Sequence, residues 1–306
     1  MVAPRAPLVV IAGATGVGKT ATAVALARRV PVEVVSADSR QVYRGMDIGT
    51  GKPTEEERAA VVHHAIDVVD PDDRYNAARF RADALGLLEA IRARGRLPVV
   101  VGGTGLYIRA LLRGLDPAPP ADPAFRAELE VLALRRGRSA LHERLGREAP
   151  SLAARLHPRD SVRIIRALEL VRAGRTEQRA WREGPRERPA LYLGLTMDRV
   201  RLAARLRIRC AAMVADGLAA EVERLLARGY HESLPSMHGI GYRDFARVVR
   251  GAMGEAEALA GMQRDTVRYA KRQLTWFRRE AGMEWIDVEQ EGGPEQIAAL
   301  VEARLG

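Results

Sequence analysis

The chain has 306 residues, a formal net charge of +10, hydrophobic residues at 47% and a single cysteine, Cys210. That length suits one large domain or two of moderate size, with ample apolar content for a core. No apolar run approaches the roughly 18 residues of a membrane span, one cysteine excludes an internal disulfide and fits a reducing cytoplasm, and no Cys/His cluster has zinc spacing.

Residues 8–12 form a continuous apolar run, as expected of a parallel strand buried on both faces. The chain enters this strand with no signal peptide before it. A Gly-rich turn follows, and residues 20–29, Ala- and Leu-rich without Gly or Pro, read as a helix. Residues 32–36 are a second strand, running into the polar segment 37–43, and residues 65–69 a third short strand before a turn at 70–73. The i, i+4 apolar pattern predicts a helix over 75–94, stopped by Gly95. Residues 97–101 are another buried strand, ending in Gly102-Gly103-Thr104-Gly105, where backbone can approach a ligand closely.

Residues 116–123 are a rigid, Pro-rich linker. Residues 124–182 read as helical, with a break at Ala149-Pro150. Strand character returns at 191–195, followed by helices over 198–216, 218–228 and 257–280 and a last strand at 283–287. The fold class is therefore α/β: a parallel sheet core built from 1–115 and 190–306, carrying a helical insertion at 116–189.

Gly13-Ala14-Thr15-Gly16-Val17-Gly18-Lys19-Thr20 matches the phosphate-binding loop G-x-x-x-x-G-K-[ST], between a strand and a helix as the motif requires. Its N–H groups would face an anion at a helix N-terminus. Lys19 adds a mobile charge on the phosphates, and the Thr20 hydroxyl can hold Mg²⁺. Lys19, Lys52 and Lys271 are the three lysines among 49 basic residues, so each is a candidate position for a compact ammonium rather than a guanidinium fork. Cys210 reads as a small buried apolar residue. His63 and His64 are adjacent, face different directions on a regular element and make poor joint ligands. Asp38, just past a strand end, can be a general base, an Mg²⁺ ligand or a helix cap. The basic balance suits a protein that grips a polyanion. From the loop alone, a kinase phosphorylating a nucleoside or small metabolite, with the helical insertion as a lid, would lead; a non-catalytic nucleotide-dependent RNA-binding switch is a second alternative, and the strong basicity disfavours the kinase.

Seven segments together resemble the tRNA dimethylallyltransferase family over nearly the whole chain. They are the phosphate loop, Ser-Ala-Asp-Ser-Arg-Gln-Val-Tyr-Arg-Gly-Met-Asp-Ile-Gly-Thr-Gly-Lys-Pro (36–53), His-His-Ala-Ile-Asp (63–67), Val-Gly-Gly-Thr-Gly-Leu-Tyr (101–107), Arg-Ala-Leu-Glu-Leu (166–170), Gly-Ile-Gly-Tyr-Arg (239–243) and Lys-Arg-Gln-Leu-Thr-Trp (271–276). The resemblance implies a P-loop kinase-like core whose inserted helical domain closes on the tRNA anticodon stem-loop. It implies transfer of a dimethylallyl group from dimethylallyl diphosphate to the exocyclic amine of the adenosine just 3′ of the anticodon, without ATP hydrolysis. The loop would then cradle the diphosphate with Mg²⁺ at Thr20. Asp38 matches the general base, and Arg209 matches an arginine on the departing diphosphate. Asp38, Ser39, Arg40, Gln41, Thr104, Arg126, Val162, Arg163, Ile164, Ile165, Arg166 and Lys271 would meet tRNA. A cytoplasmic monomer with no membrane partner is expected. Two positions depart from the family: Val162 stands where relatives usually carry Gln, and Asp244 where Gln or Glu is more usual. Both bear on tRNA contacts and neither on the chemistry. The basic insertion and C-terminal helices exceed what an enzyme acting on free adenylate requires.

Overall fold

A computed structural model describes residues 8–115, 119, 121–175 and 190–305. Strand β1 (Leu8–Gly13) leads through the Gly-rich turn into α1 (Lys19–Ala27) and β2 (Val32–Ser36). Then come α2 (Glu55–Ala60), the two-residue β3 (His63–His64), α3 (Ala77–Ala93), β4 (Leu97–Gly102) and α4 (Gly105–Arg113). Four helices follow: α5 (Pro123–Arg136), α6 (Ser139–Glu148), α7 (Pro150–Ala153) and α8 (Ser161–Arg172). The chain continues through β5 (Ala190–Thr196), α9 (Arg199–Ala215), α10 (Leu218–Ala227), α11 (Tyr242–Val249), α12 (Glu255–Phe277), β6 (Glu284–Asp287) and α13 (Pro294–Ala303). Among the described residues no helix is long and apolar enough to cross a membrane.

The chain divides into two compact units, one of Met1–Arg113 with Pro185–Gly306 and one of Gly114–Gly184. The first holds a six-stranded sheet in the order β3-β2-β4-β1-β5-β6, with every pairing parallel. The period-2 alternation of a strand divides its side chains between two cores. Val9 and Ile11 of β1, Val99 and Val101 of β4, and Leu193 and Leu195 of β5 join one face with α1, α13 and residues of α9 and α12. Leu8, Val10, Ala12, Val100 and Tyr192 join the other. There α3 presents Phe80, Ala84, Leu88 and Ile91, one stripe of a 3.6-residue period. A third cluster, with Met46, Val222, Leu225, Tyr242 and Phe245, lies under the segment that follows β2. The second unit has its own core of Phe125, Leu129, Leu141, Leu145, Leu152, Ile164 and Leu168.

Helix starts follow local chemistry. Thr54 and Glu57 form a reciprocal capping box at α2, and Asn76, Asp122, Asp160 and Asp198 cap α3, α5, α8 and α9. Three expectations need correction. The strand placed at 65–69 is instead His63–His64, and Val69 makes only an isolated bridge to Tyr43. Ala65 and Asp67 adopt φ of 60° and 56°, left-handed backbone that cannot continue a strand. The helical stretch from 124 is four helices, interrupted at Gly137 with φ 82° and between 154 and 160. Pro150 opens α7 rather than only breaking the chain. Residues 116–118 and 120 of the linker, and 176–182 of the helical stretch, lie outside the described residues.

Candidate active site

The carboxyl ends of β1, β2 and β4 lie side by side, and each continues into a Gly-rich or polar loop. This is the edge where open parallel sheets hold ligands. After β1 the phosphate loop turns on Gly13, Gly16 and Gly18, with φ of 152°, 75° and 113°. A Cβ on Gly13 would lie 2.6 Å from the Leu195 carbonyl oxygen, so β5 leaves room only for glycine. The first N–H groups of α1 have no i−4 carbonyl and face outward from the helix end. Lys19 Nζ donates to the Ala14 carbonyl at 2.8 Å, curling over the loop. Burial lowers the Lys19 pKa to about 8, opposed by Asp38 and assisted by Arg209.

Asp38 follows β2 by two residues. Its Oδ1 accepts the Arg40 N–H at 2.8 Å, an Asx turn that fixes the carboxylate. Beside it, the Ser39 N–H donates to Thr104 Oγ1 at 3.0 Å, joining the loops after β2 and β4. Gln41 accepts from the Ser36 hydroxyl at 2.9 Å and donates to the Gly51 carbonyl at 3.0 Å. Arg40 donates to the Pro235 carbonyl at 2.8 Å. Arg209, from α9, donates to Thr15 Oγ1 at 3.4 Å and to the Gly51 carbonyl at 3.3 Å, and burial lowers its pKa. A guanidinium so desolvated is poised for an anion.

Two cavities meet here. One, of about 330 Å³, is walled by the phosphate loop and Lys19, Thr20 and Lys52. The other, of about 290 Å³, is lined by His238, Tyr242, Met262, Tyr269 and Arg272 among others. Thr15, Asp38, Thr50 and Arg209 line both. The structure therefore brings together the residues that the sequence separates by up to 190 positions: Lys19, Thr20, Asp38 and Arg209.

The segment between them is built by contacts the sequence did not announce. The buried Glu221 carboxylate accepts the N–H groups of Asp47 at 2.8 Å, Ile48 at 2.7 Å and Gly49 at 3.2 Å, and the Tyr242 hydroxyl at 2.7 Å. Lys52, its side chain only 2% exposed, donates to the Tyr43 carbonyl at 2.7 Å, to Asp47 at 2.6 Å and to Asp67. An ammonium among three converging oxygens explains a lysine here, in a structural role. Gln273, from α12, reaches the phosphate loop itself. Nothing in the 271–276 string marks it, because its partners Thr15 and Gly103 are distant in sequence. Cys210 is buried on α9, as expected. His63 and His64 point to different partners, the Val61 carbonyl at 2.8 Å and Glu33 at 2.6 Å.

The remaining positions expected to meet tRNA divide. In the helical unit, Arg126 forks onto Glu169 at 2.7 and 2.9 Å, and Arg166 meets the same carboxylate at 3.1 Å. Val162 is 80% exposed and Arg163 lies at the surface. Ile164 is fully buried in the unit's core, and Ile165 packs against that core. Ile164 is thus corrected from a contact to a support: the helical period turns it inward between its exposed neighbours. Lys271 is exposed on α12 and lines a small groove with Leu202, Leu274 and Arg278, apart from the two cavities.

The family model described as IPP transferase matches residues 41–280, and that of isopentenyl transferase matches 6–63. The chain is 50% identical to a tRNA dimethylallyltransferase of Thermomicrobium roseum, over 98% of this chain and 92% of that protein. It is 48% identical to one of Anaeromyxobacter dehalogenans, over 97% and 99%. Among solved structures, the tRNA isopentenylpyrophosphate transferase of Bacillus halodurans superposes with a TM-score of 0.71 at 39% identity, covering 98% of this chain and 97% of that one. A eukaryotic dimethylallyltransferase acting on tRNA gives 0.78 at 25% identity, covering 97% and 78%. A parallel-sheet core with a phosphate loop, matched over most of its length by both family model and relatives, places this chain in the IPP transferase family.

Proposed function

We propose that the protein transfers the dimethylallyl group of dimethylallyl diphosphate to N6 of the adenosine 3′-adjacent to the anticodon of tRNA, releasing diphosphate. The observation that carries this reading is the wall shared by the two cavities, where Asp38 and Arg209 face both. The diphosphate occupies the phosphate-loop chamber and the adenine enters from the other. The target base must leave its stack to do so.

The C1–O bond of the allyl diphosphate breaks and its electron pair stays on the diphosphate. Lys19, Arg209 and the N–H groups at the start of α1 meet that growing charge. The adenine N6 lone pair forms the new bond to C1, and Asp38 accepts the proton that N6 loses. Among the described residues no group of three or more His, Cys, Asp or Glu side chains could hold a metal ion alone. The Thr20 hydroxyl and Asp38 carboxylate on the first cavity's wall are hard oxygen donors of the kind Mg²⁺ takes beside phosphate oxygens. We assign Mg²⁺ to Thr20 on that ground; when bound, it would offset charge on the leaving diphosphate.

Ser39, Arg40, Gln41 and Thr104 at the cavity mouth, and Arg126, Val162, Arg163 and Arg166 on the helical unit, are assigned to the anticodon stem-loop. The enzyme acts in this reading as a cytoplasmic monomer. The test is incubation with labelled dimethylallyl diphosphate and unmodified tRNA, followed by nucleoside analysis. Label on N6-dimethylallyladenosine at that one position is expected. Label transferred equally to free AMP, or ATP turnover without tRNA, would overturn the reading.

A further inference from the structure

Gln273 is 6% exposed and makes two hydrogen bonds that packing alone does not require. Its Oε1 accepts the Thr15 N–H at 2.9 Å, and its Nε2 donates to the Gly103 carbonyl at 2.9 Å. The partners fix the amide's orientation, since a flipped amide would set N–H against N–H and oxygen against oxygen. A Cβ on Gly103 would lie 2.2 Å from that Nε2, so the contact depends on glycine there.

We propose that Gln273 is a positioning residue for the transfer reaction, a strut that sets the separation between the phosphate loop and Asp38. At one end stands Thr15, whose hydroxyl receives Arg209 at 3.4 Å. At the other, Gly103 precedes Thr104. The Thr104 N–H donates to the Ala37 carbonyl at 3.1 Å, and its hydroxyl accepts the Ser39 N–H at 3.0 Å. Ala37 and Ser39 flank Asp38. A continuous path thus runs from the loop that would hold the leaving group to the carboxylate that would take the proton, and Gln273 of α12 is the side chain that bridges Thr15 to Gly103 in it. The strut rests on the reading of the loop as a diphosphate cradle. Transfer chemistry needs both reactants within a narrow range of position, and about 1 Å of misplacement costs on the order of 10²-fold in rate.

Gln273→Met keeps the length of the side chain and removes both hydrogen bonds. We expect kcat to fall about 10²-fold. The dissociation constant for inorganic pyrophosphate, read by calorimetry, should rise about tenfold as the loop loses a buried partner. KM for tRNA should stay within about twofold. Gly103→Ala displaces Nε2 from the opposite end while leaving α12 intact, and should give the same pattern. The double variant should be no worse than the more damaged single one, because both act on one contact. A merely structural role would instead lower the melting temperature and raise both KM values together. Wild-type kcat and pyrophosphate affinity in Gln273→Met, or losses that multiply in the double variant, would overturn the strut alone. A wild-type protein that fails to bind pyrophosphate would overturn the cradle and the strut with it.

Discussion

The proton-accepting role proposed for Asp38 rests on a backbone and carboxylate that are both fixed: the Arg40 N–H holds one oxygen at 2.8 Å, and Thr104 holds the next residue's N–H. Asp38→Asn preserves that hydrogen bond through its amide oxygen and removes only the basic lone pair. The fold and tRNA affinity should persist while single-turnover prenylation drops by about 10²-fold or more; an unchanged rate in rapid-quench measurements would take the base role from Asp38. Lys19 gives a second expectation. With its pKa lowered to about 8, chiefly by burial, the free enzyme's amine is charged below that pH and neutral above it. In the proposed reading diphosphate meets the charged form, so pyrophosphate affinity should weaken as pH rises through 8. The same titration with Lys19→Met should lack that break; a break of equal size in the variant would assign it elsewhere. These residues were legible because each sits in a short contiguous string. Gln273 carried no assigned role because Thr15 is 258 positions away. Ile164 was misread although Ala167 and Leu168, three and four residues on, share its core face. Lys52 sits among three oxygens and anchors a loop, a place that the scarcity of lysine alone does not reveal.

Residues 44–53 form the element that no secondary-structure pattern describes, yet they supply Thr50 and Gly51 to the cavity walls. Glu221, Tyr242 and Lys52 hold the segment from beneath through buried polar contacts, so it behaves as fixed scaffold. Gly51 is where that scaffold touches the chemistry. Its carbonyl accepts from both Gln41 and Arg209, its φ is 59°, and an added Cβ would lie 2.0 Å from Arg209 Nη2. Gly51→Ala should therefore push the guanidinium out of place at a backbone cost of about 1–2 kcal/mol. We expect a loss near 10²-fold in kcat, the scale for removing one charge-stabilising donor. Melting temperature should fall by only a few degrees, and kcat close to wild type would mean that Arg209 tolerates displacement. At this scale the strands β1, β2, β4, β5 and β6 are legible as short apolar runs, and most long helices as stretches of helical pattern. Helices α2, α4, α11 and α13 were not assigned. The stretch after β3 failed as a strand because positive φ at Ala65 and Asp67 is stabilised by tertiary partners: Asp67 takes Lys52 and Arg58.

At the scale of the molecule, the decisive quantity is the net charge of +10, carried by 46 arginines and three lysines against 39 acidic residues. Many of these arginines are committed: Arg28 to Glu295, Arg94 to Glu33, Arg144 to Glu128 and Glu148. Others make no ion pair among the described residues, including Arg199, Arg207, Arg264, Arg272 and Arg278, and such cations are available to phosphate. The two substrates then obey different laws. In the proposed reading diphosphate sits in a partly enclosed chamber with Lys19, Arg209 and N–H groups, where desolvation limits screening. A tRNA is gripped across an exposed surface and releases counterions as each phosphate is neutralised. With about six such contacts its affinity should fall on the order of a thousandfold between 50 and 200 mM salt. Pyrophosphate affinity over the same range should change far less. Paired titrations of both ligands, by filter binding and calorimetry, make the comparison internal to one protein preparation. Parallel slopes for the two ligands would place tRNA recognition in the same enclosed chamber. A flat response for tRNA would mean that the excess arginine does not meet the RNA backbone at all.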